Sequence, residues 1–193
     1  MIAINNSLPA FCNSDNTTFT NSFDEQPQIY VACLAAYNNG RMHGVWIDAT
    51  LEVEEISKQI SRMLAKSPEP DAEEYAIHAD SGFYNLRIEE YTSIKDVHEK
   101  AMFILEHGEL GAELAAYYGG HLKDAQRALV GGYYGDYENE LDYAIEFFNE
   151  CYLEKVPETV RYYIDYESFK TDLFIDDCFS IEVEGKCHVF SRH

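Results

Sequence analysis

Ile29-Tyr30-Val31-Ala32-Cys33-Leu34 is an apolar run with two β-branched residues and a tyrosine. A short run of this composition is typical of a buried strand. Asn38-Asn39-Gly40 then supplies residues that tolerate a positive φ, and Val45-Trp46-Ile47 has the composition of a second strand. These stretches predict a β-hairpin, and Glu74-Tyr75-Ala76-Ile77-His78 is predicted to add a third strand to the same sheet.

An amphipathic helix is predicted between the second and third strands. Its apolar residues recur at steps of three and four, and they are Val53, Ile56, Ile60 and Met63. Pro68 and Pro70 end the pattern. We therefore expect residues 28–88 to form an N-terminal α+β domain.

The middle of the chain has helical patterning throughout. Ser93 and Asp96 resemble a capping box, and the buried stripe that follows consists of Ile94, Val97, Ala101 and Ile104. Further helices are expected over residues 109–118 and 121–130, interrupted by Gly119-Gly120 and Gly131-Gly132. Residues 89–130 are predicted to form a central helical domain.

Residues 131–193 are predicted to form an acidic C-terminal α+β domain. A long helix is expected from just after Gly135 to about Glu154, and Pro157 suits the first turn of the next helix. Residues 179–183 and 187–190 are predicted to pair as strands across Glu184-Gly185. The fold class is therefore α+β, in an elongated chain of three small domains.

Residues 1–27 are rich in Asn, Ser and Thr without a period, which is typical of a flexible extension.

The chain is strongly acidic and also rich in aromatic residues. It contains 35 Asp and Glu against 14 Lys and Arg, a formal net charge of -21, together with 15 Tyr and 11 Phe. Disordered acidic chains are poor in aromatic residues, so we expect a folded protein. Direct binding of nucleic acid is disfavoured, because it requires basic patches. Solubility, adaptation to high salt, cation binding and attraction of basic partners all remain open from net charge alone.

We expect the protein to be cytoplasmic. Five cysteines, an odd number at no regular spacing, favour reduced thiols over a disulfide framework. No Lys or Arg precedes Arg41, which is unlike a signal peptide, and no apolar run approaches the roughly 18 residues of a membrane span.

The position of the acidic residues is more informative than their number. Residues 131–177 contain 13 acidic residues against three basic ones. Like charges four residues apart destabilise a helix, so such a row favours a functional surface over an ordinary solvated face. The predicted helix carries such a row, which consists of Glu138, Asp142, Glu146, Glu150 and Glu154. Rows from adjoining elements could raise its charge density with Glu140, Asp165, Glu167, Asp172, Asp176 and Asp177.

Enzymatic and metal-binding functions find little support in the sequence. It contains no P-loop, no G-x-G-x-x-G and no G-x-S-x-G. Residues 136–140 superficially resemble a calcium loop, but Leu141 stands where that loop needs Gly. Cys178, Cys187 and His188 could bind a metal only if the fold brought them together, and buried thiols are the commoner arrangement. We expect no catalysis, no cofactor and no metal, and a small hydrolase is the remote alternative.

Three blocks of the sequence together resemble a known protein family. The first block is Ile29-Tyr30-Val31 through Leu34, Tyr37, Asn39-Gly40, Gly44 and Trp46-Ile47-Asp48. The second is residues 73–78 with Gly82-Phe83 and residues 90–94. The third is Val156-Pro157-Glu158, residues 163–167, Asp172-Leu173 and Phe190. In this order, over about residues 29–190, the three blocks resemble the ArdA family of antirestriction proteins, which are encoded by plasmids and conjugative transposons.

The resemblance implies a DNA mimic that blocks type I restriction-modification enzymes by occupying their DNA-binding groove, with carboxylates in place of phosphates. It also implies an elongated homodimer of three-domain chains, joined through the C-terminal domains. Three tyrosines close to Gly131 are candidate dimer contacts, namely Tyr133, Tyr134 and Tyr137. The alternative is a generic acidic protein that sequesters another basic DNA-binding protein. Two segments depart from the family pattern: the first 28 or so residues, and Ala79-Asp80-Ser81-Gly82.

Overall fold

The computed structural model describes residues 26–70 and 72–193, which form a mixed α+β fold with two small antiparallel sheets. The extension predicted for residues 1–27 lies outside the described residues except for Gln26 and Pro27. These two residues belong to the fold. The Pro27 carbonyl accepts the Ala49 N–H at 2.9 Å, and the Gln26 side chain donates to Asp48 Oδ2 at 2.8 Å.

The N-terminal sheet contains the predicted hairpin and third strand. Its elements are β1 (Gln28–Cys33), α1 (Leu34–Asn38), β2 (Gly44–Asp48), α2 (Val53–Ala65) and β3 (Tyr75–Ser81), and the strand order is β2-β1-β3. The connection between β1 and β2 contains the short helix α1, which was not predicted; it begins at Leu34, expected in the strand, and ends at Asn38, the first predicted turn residue. The stripe of α2 is confirmed, since Ile56, Ile60 and Met63 are buried.

Two helices form the middle of the chain, α3 (Ile94–Tyr117) and α4 (Leu122–Gly131). The predicted cap is confirmed, because the Asp96 N–H donates to Ser93 Oγ at 3.1 Å, and the four residues of the predicted stripe are buried. Gly108 interrupts α3 with φ 63° and ψ -156°, so the helix consists of two segments joined by a kink.

The C-terminal part contains a strand that the sequence analysis missed. Its elements are β4 (Tyr133–Tyr137), α5 (Glu140–Cys151), a 3₁₀ turn (Leu153–Lys155), α6 (Glu158–Arg161), α7 (Tyr166–Asp176), β5 (Cys178–Val183) and β6 (Lys186–Ser191). The strand order is β4-β6-β5, and the predicted β5–β6 hairpin is confirmed. The prediction of one helix from just after Gly135 to Glu154 is wrong at both ends. Pairing with β6 holds residues 133–137 extended, and Asn139 caps the helix by accepting the Asp142 N–H at 3.0 Å.

The β5–β6 hairpin contributes to two hydrophobic clusters. Phe179, Ile181 and Phe190 belong to the large cluster that includes the N-terminal sheet, α2, α3 and α4. Cys178, Cys187 and Val189 belong to a second cluster with residues of α5 and α7. Core contacts thus cross residue 130, and the division at residues 88 and 130 into separate domains stays a prediction. None of the described helices is long and apolar enough to span a bilayer.

Candidate interaction surface

One side of α5 presents carboxylates at a regular spacing. Asp142, Glu146 and Glu150 are exposed and four residues apart, which corresponds to about 6 Å along the helix axis. The helix is held from another side by Tyr143 and Phe147, which are buried in the second cluster. Packing of these aromatic residues therefore fixes the direction in which the carboxylates point.

The two outer members of the predicted row are exposed but do not lie on α5. Glu138 lies in the turn after β4 and forms an ion pair with Lys186 of β6, which also raises the pKa of that lysine. Glu154 lies in the 3₁₀ turn that follows α5. The five-residue row is therefore three residues on one helix with one residue in each flanking turn.

Helix α7 packs beside α5 and carries further exposed carboxylates, Asp172 and Asp176. The rings of Phe148 and Phe169 are 5.0 Å apart in an edge-to-face contact, and Tyr166 Oη donates to Asn149 Oδ1 at 3.1 Å. Phe148 and Glu146 differ by two positions and lie on roughly opposite sides of α5. The α5 carboxylates therefore run along the side away from α7, and the carboxylates of α7 do not form a row directly beside them.

Asp165 caps the N-terminus of α7. Its carboxylate accepts the Ser168 N–H at 3.0 Å and the Ser168 hydroxyl at 2.8 Å. These hydrogen bonds favour the charged form, so they lower the pKa of Asp165. The predicted surface residue is thus also a structural cap, with its side chain still exposed.

Four of the eleven predicted residues are partly neutralised or partly buried. Glu138 pairs with Lys186, and Glu167 pairs with Lys170 at 2.9 Å. Glu140 is half-buried and accepts the Ser180 hydroxyl at 2.7 Å. Asp177 is half-buried, with His193 Nε2 at 3.9 Å.

The seven others are exposed and form no ion pair within residues 26–70 and 72–193. We name them the C-terminal acidic surface. It consists of Asp142, Glu146, Glu150, Glu154, Asp165, Asp172 and Asp176.

The three candidate dimer tyrosines of β4 are half-buried and have partners within the chain. Tyr133 Oη lies 2.8 Å from His188 Nδ1, and the rings of Tyr134 and Tyr137 lie 5.8 and 5.0 Å from that of Tyr143. Burial is the main cause that raises the pKa of Tyr137 to about 12, and the charges of Glu146 and Glu150 add to it. All of these contacts lie within one chain, so the role of the three tyrosines in a dimer stays a prediction.

The three residues considered above as possible metal ligands are buried and have other contacts. Cys178 and Cys187 are buried in the second cluster, burial raises the pKa of Cys178 to about 11, and His188 faces Tyr133. Across residues 26–70 and 72–193, no group of three His, Cys, Asp or Glu is placed to hold a metal.

Sequence reasoning missed the exposure of one tyrosine pair. Tyr162 and Tyr163 are 92% and 80% exposed in the connection between α6 and α7. Their position in the sequence could have indicated this. A helix that begins after Pro157 must end before Asp165, so it has room for a single turn, and the tyrosines fall in the connection that follows.

Comparison with known proteins bears on the origin of these features. No curated protein matches the chain. The model of the family described as antirestriction protein (ArdA) matches residues 29–186, which extend from β1 to the first residue of β6. This is most of the 193 residues, and it includes the whole C-terminal acidic surface. The chain therefore belongs to the ArdA family of antirestriction proteins.

Proposed function

We propose that the protein inhibits type I restriction-modification enzymes by occupying their DNA-binding groove as a DNA mimic. Family membership supports the antirestriction function. The observation that carries the mimicry is the row of Asp142, Glu146 and Glu150, exposed and without a cationic partner among the described residues. Carboxylates of this surface stand in for phosphates, and Lys and Arg side chains of the groove are the partner. No covalent bond is made or broken.

The spacing of the row supports this proposal. Each DNA strand carries a phosphate per roughly 3.4 Å of duplex axis, so steps of about 6 Å on a helix approximate every second phosphate. Like charges at four-residue spacing destabilise a helix that stands alone. A basic groove removes that repulsion on binding. Association should be fast and weakened by salt, as it is for DNA.

A charge-compensated variant separates charge geometry from net charge. Glu146→Gln and Glu150→Gln remove two charges of the row, and Lys66→Gln with Lys123→Gln restores the net charge; both lysines are exposed. We expect this variant to inhibit methylation by a type I enzyme about tenfold less well, a loss of roughly 1.4 kcal/mol. The variant with only the two lysine substitutions is the control and should inhibit at least as well as the wild type.

Equal inhibition by the compensated variant and the wild type would contradict a role for charge position. It would instead favour nonspecific acidity, as expected of a generic acidic interaction protein.

We further propose a homodimer that joins through the C-terminal part, in which β4 is an edge strand of the sheet. An edge strand has unpaired backbone groups that a second chain can use. Light scattering that gives the 22.2 kDa mass of one chain at working concentration would exclude the dimer.

A further inference from the structure

The two most exposed tyrosines named above are neighbours in the connection between α6 and α7. Tyr162 is 92% exposed and Tyr163 is 80% exposed, and the neighbouring Val160 is about half exposed. Single exposed apolar side chains are common, but adjacent ones form a patch, and such patches mark interaction sites. The rings have no role in either hydrophobic cluster.

The backbone beneath the two rings is fixed by hydrogen bonds. The Tyr163 N–H donates to the Val160 carbonyl at 3.0 Å, and the Ile164 N–H donates to the Arg161 carbonyl at 3.3 Å. The Arg161 side chain donates from Nε to the Val156 carbonyl at 3.0 Å. The two tyrosine rings also touch each other edge to face, with their centres 5.7 Å apart. Two rigid rings on a fixed turn lose little conformational entropy on binding.

The charges around the pair indicate the chemistry of the partner. Glu158 and Asp165, on either side of the pair in sequence, are exposed, and Glu154 precedes them in the 3₁₀ turn. Arg161, the nearest cation in sequence, is half-buried and directed to a backbone carbonyl. A second copy of this acidic chain would be repelled here, whereas a basic surface would be attracted. Arginine suits such a site, because its guanidinium pairs with carboxylates and stacks on aromatic rings.

We propose that Tyr162 and Tyr163 form an aromatic anchor that packs against arginine side chains lining the basic groove of the inhibited enzyme. The inference rests on the proposed function and adds a source of affinity that differs from charge. The anchor supplies stacking contacts that salt does not screen, whereas the carboxylates supply the salt-dependent attraction. Flat rings flanked by carboxylates resemble bases flanked by phosphates.

The test compares full-length variants for binding to a purified type I methyltransferase core at several salt concentrations. Tyr162→Ala with Tyr163→Ala should weaken binding about ten- to hundredfold at every salt concentration, with the slope of log K against log salt unchanged. Glu146→Gln with Glu150→Gln should reduce that slope. Tyr162→Phe with Tyr163→Phe keeps the rings and should bind nearly as the wild type does.

Tyr91→Ala is the matched control, because Tyr91 is 72% exposed and lies outside the C-terminal part. Its binding should equal that of the wild type, and circular dichroism should show all variants folded. If the double alanine variant binds the core as tightly as the wild type does, the anchor is overturned and the proposed function stays intact. The same holds if Tyr91→Ala loses as much affinity as the double alanine variant. A wild-type protein that does not displace DNA from the core would overturn both.

Discussion

His188 on β6 illustrates how one side chain links the acidic part of the chain to its stability. The imidazole is buried, with Tyr133 Oη 2.8 Å from its Nδ1 and Asp136 opposite it in the strand register. Burial lowers the pKa of His188 below the ordinary value of 6.5, although the charges of Asp136 and Glu184 oppose this shift. The folded protein therefore favours the neutral imidazole.

Stability should depend on the protonation of this histidine. Because the folded-state pKa is lowered, the unfolded chain binds the proton more readily, and stability is lost as pH falls through about 6.5. His188→Gln should cost about 1–2 kcal/mol near pH 8 through lost packing and hydrogen bonding. The difference in free energy of unfolding between wild type and variant should be smaller at pH 5.5 than at pH 8, as measured by urea unfolding. A gap of equal size at both pH values would show that His188 does not carry this dependence.

The exposure of most of these carboxylates could be predicted, but whether each one lacks a cationic partner could not. Glu138 and Glu146 belong to the same four-residue pattern, yet Glu138 is paired with Lys186, 48 positions further along the chain. That partner comes from strand pairing and leaves no local pattern in the sequence. The row was therefore predicted in its central members and not at its ends.

At the scale of elements, the kink in α3 depends on one glycine. Gly108 has φ 63° and ψ -156°, a region that only glycine adopts readily. Residues on both sides of the kink, such as Ile104 and Leu110, are buried in the same cluster. A straight helix would carry the second segment in another direction, so the kink is part of the packing.

Gly108→Ala should lower the free energy of unfolding by about 1–3 kcal/mol, because a Cβ is strained in this conformation. Gly131→Ala in α4 is the matched control: φ there is not positive, and nothing lies within 4 Å of an added Cβ. This control should leave stability unchanged or slightly higher. Denaturant unfolding measures both, and equal effects of the two substitutions would show that the kink is not under this constraint.

Elements with strong local patterns were predicted, and β4 was not. Three- and four-residue periodicity located α2 and the first segment of α3, and alternation over residues 179–183 with a turn at Glu184-Gly185 located the β5–β6 hairpin. Residues 133–137 have no alternation of their own, and Gly135 has a φ of 120° beside a register shift in the pairing with β6. That strand exists because of a partner about 50 residues away. Asn139 with Asp142 was the local cap that would have placed the start of α5 correctly.

At the scale of the whole molecule, the shared hairpin connects the acidic part to the rest. Phe179 stacks on Tyr117 of α3 with ring centres 4.2 Å apart, while Cys178 beside it packs in the second cluster. Arg192 adds hydrogen bonds to Tyr117 Oη at 3.1 Å and to the Phe174 carbonyl at 3.1 Å. The α5 and α7 carboxylates are therefore presented from a connected framework, which the proposed binding to a groove would require.

The central claim is that this surface takes the place of DNA, and direct competition tests it best. Labelled duplex DNA bound to a type I methyltransferase core is titrated with the full-length protein at low salt. We predict complete displacement, with the apparent Kd for DNA rising in proportion to the concentration of the protein, and methylation lost in parallel. DNA that stays bound, with undiminished methylation at saturating protein, would contradict the account.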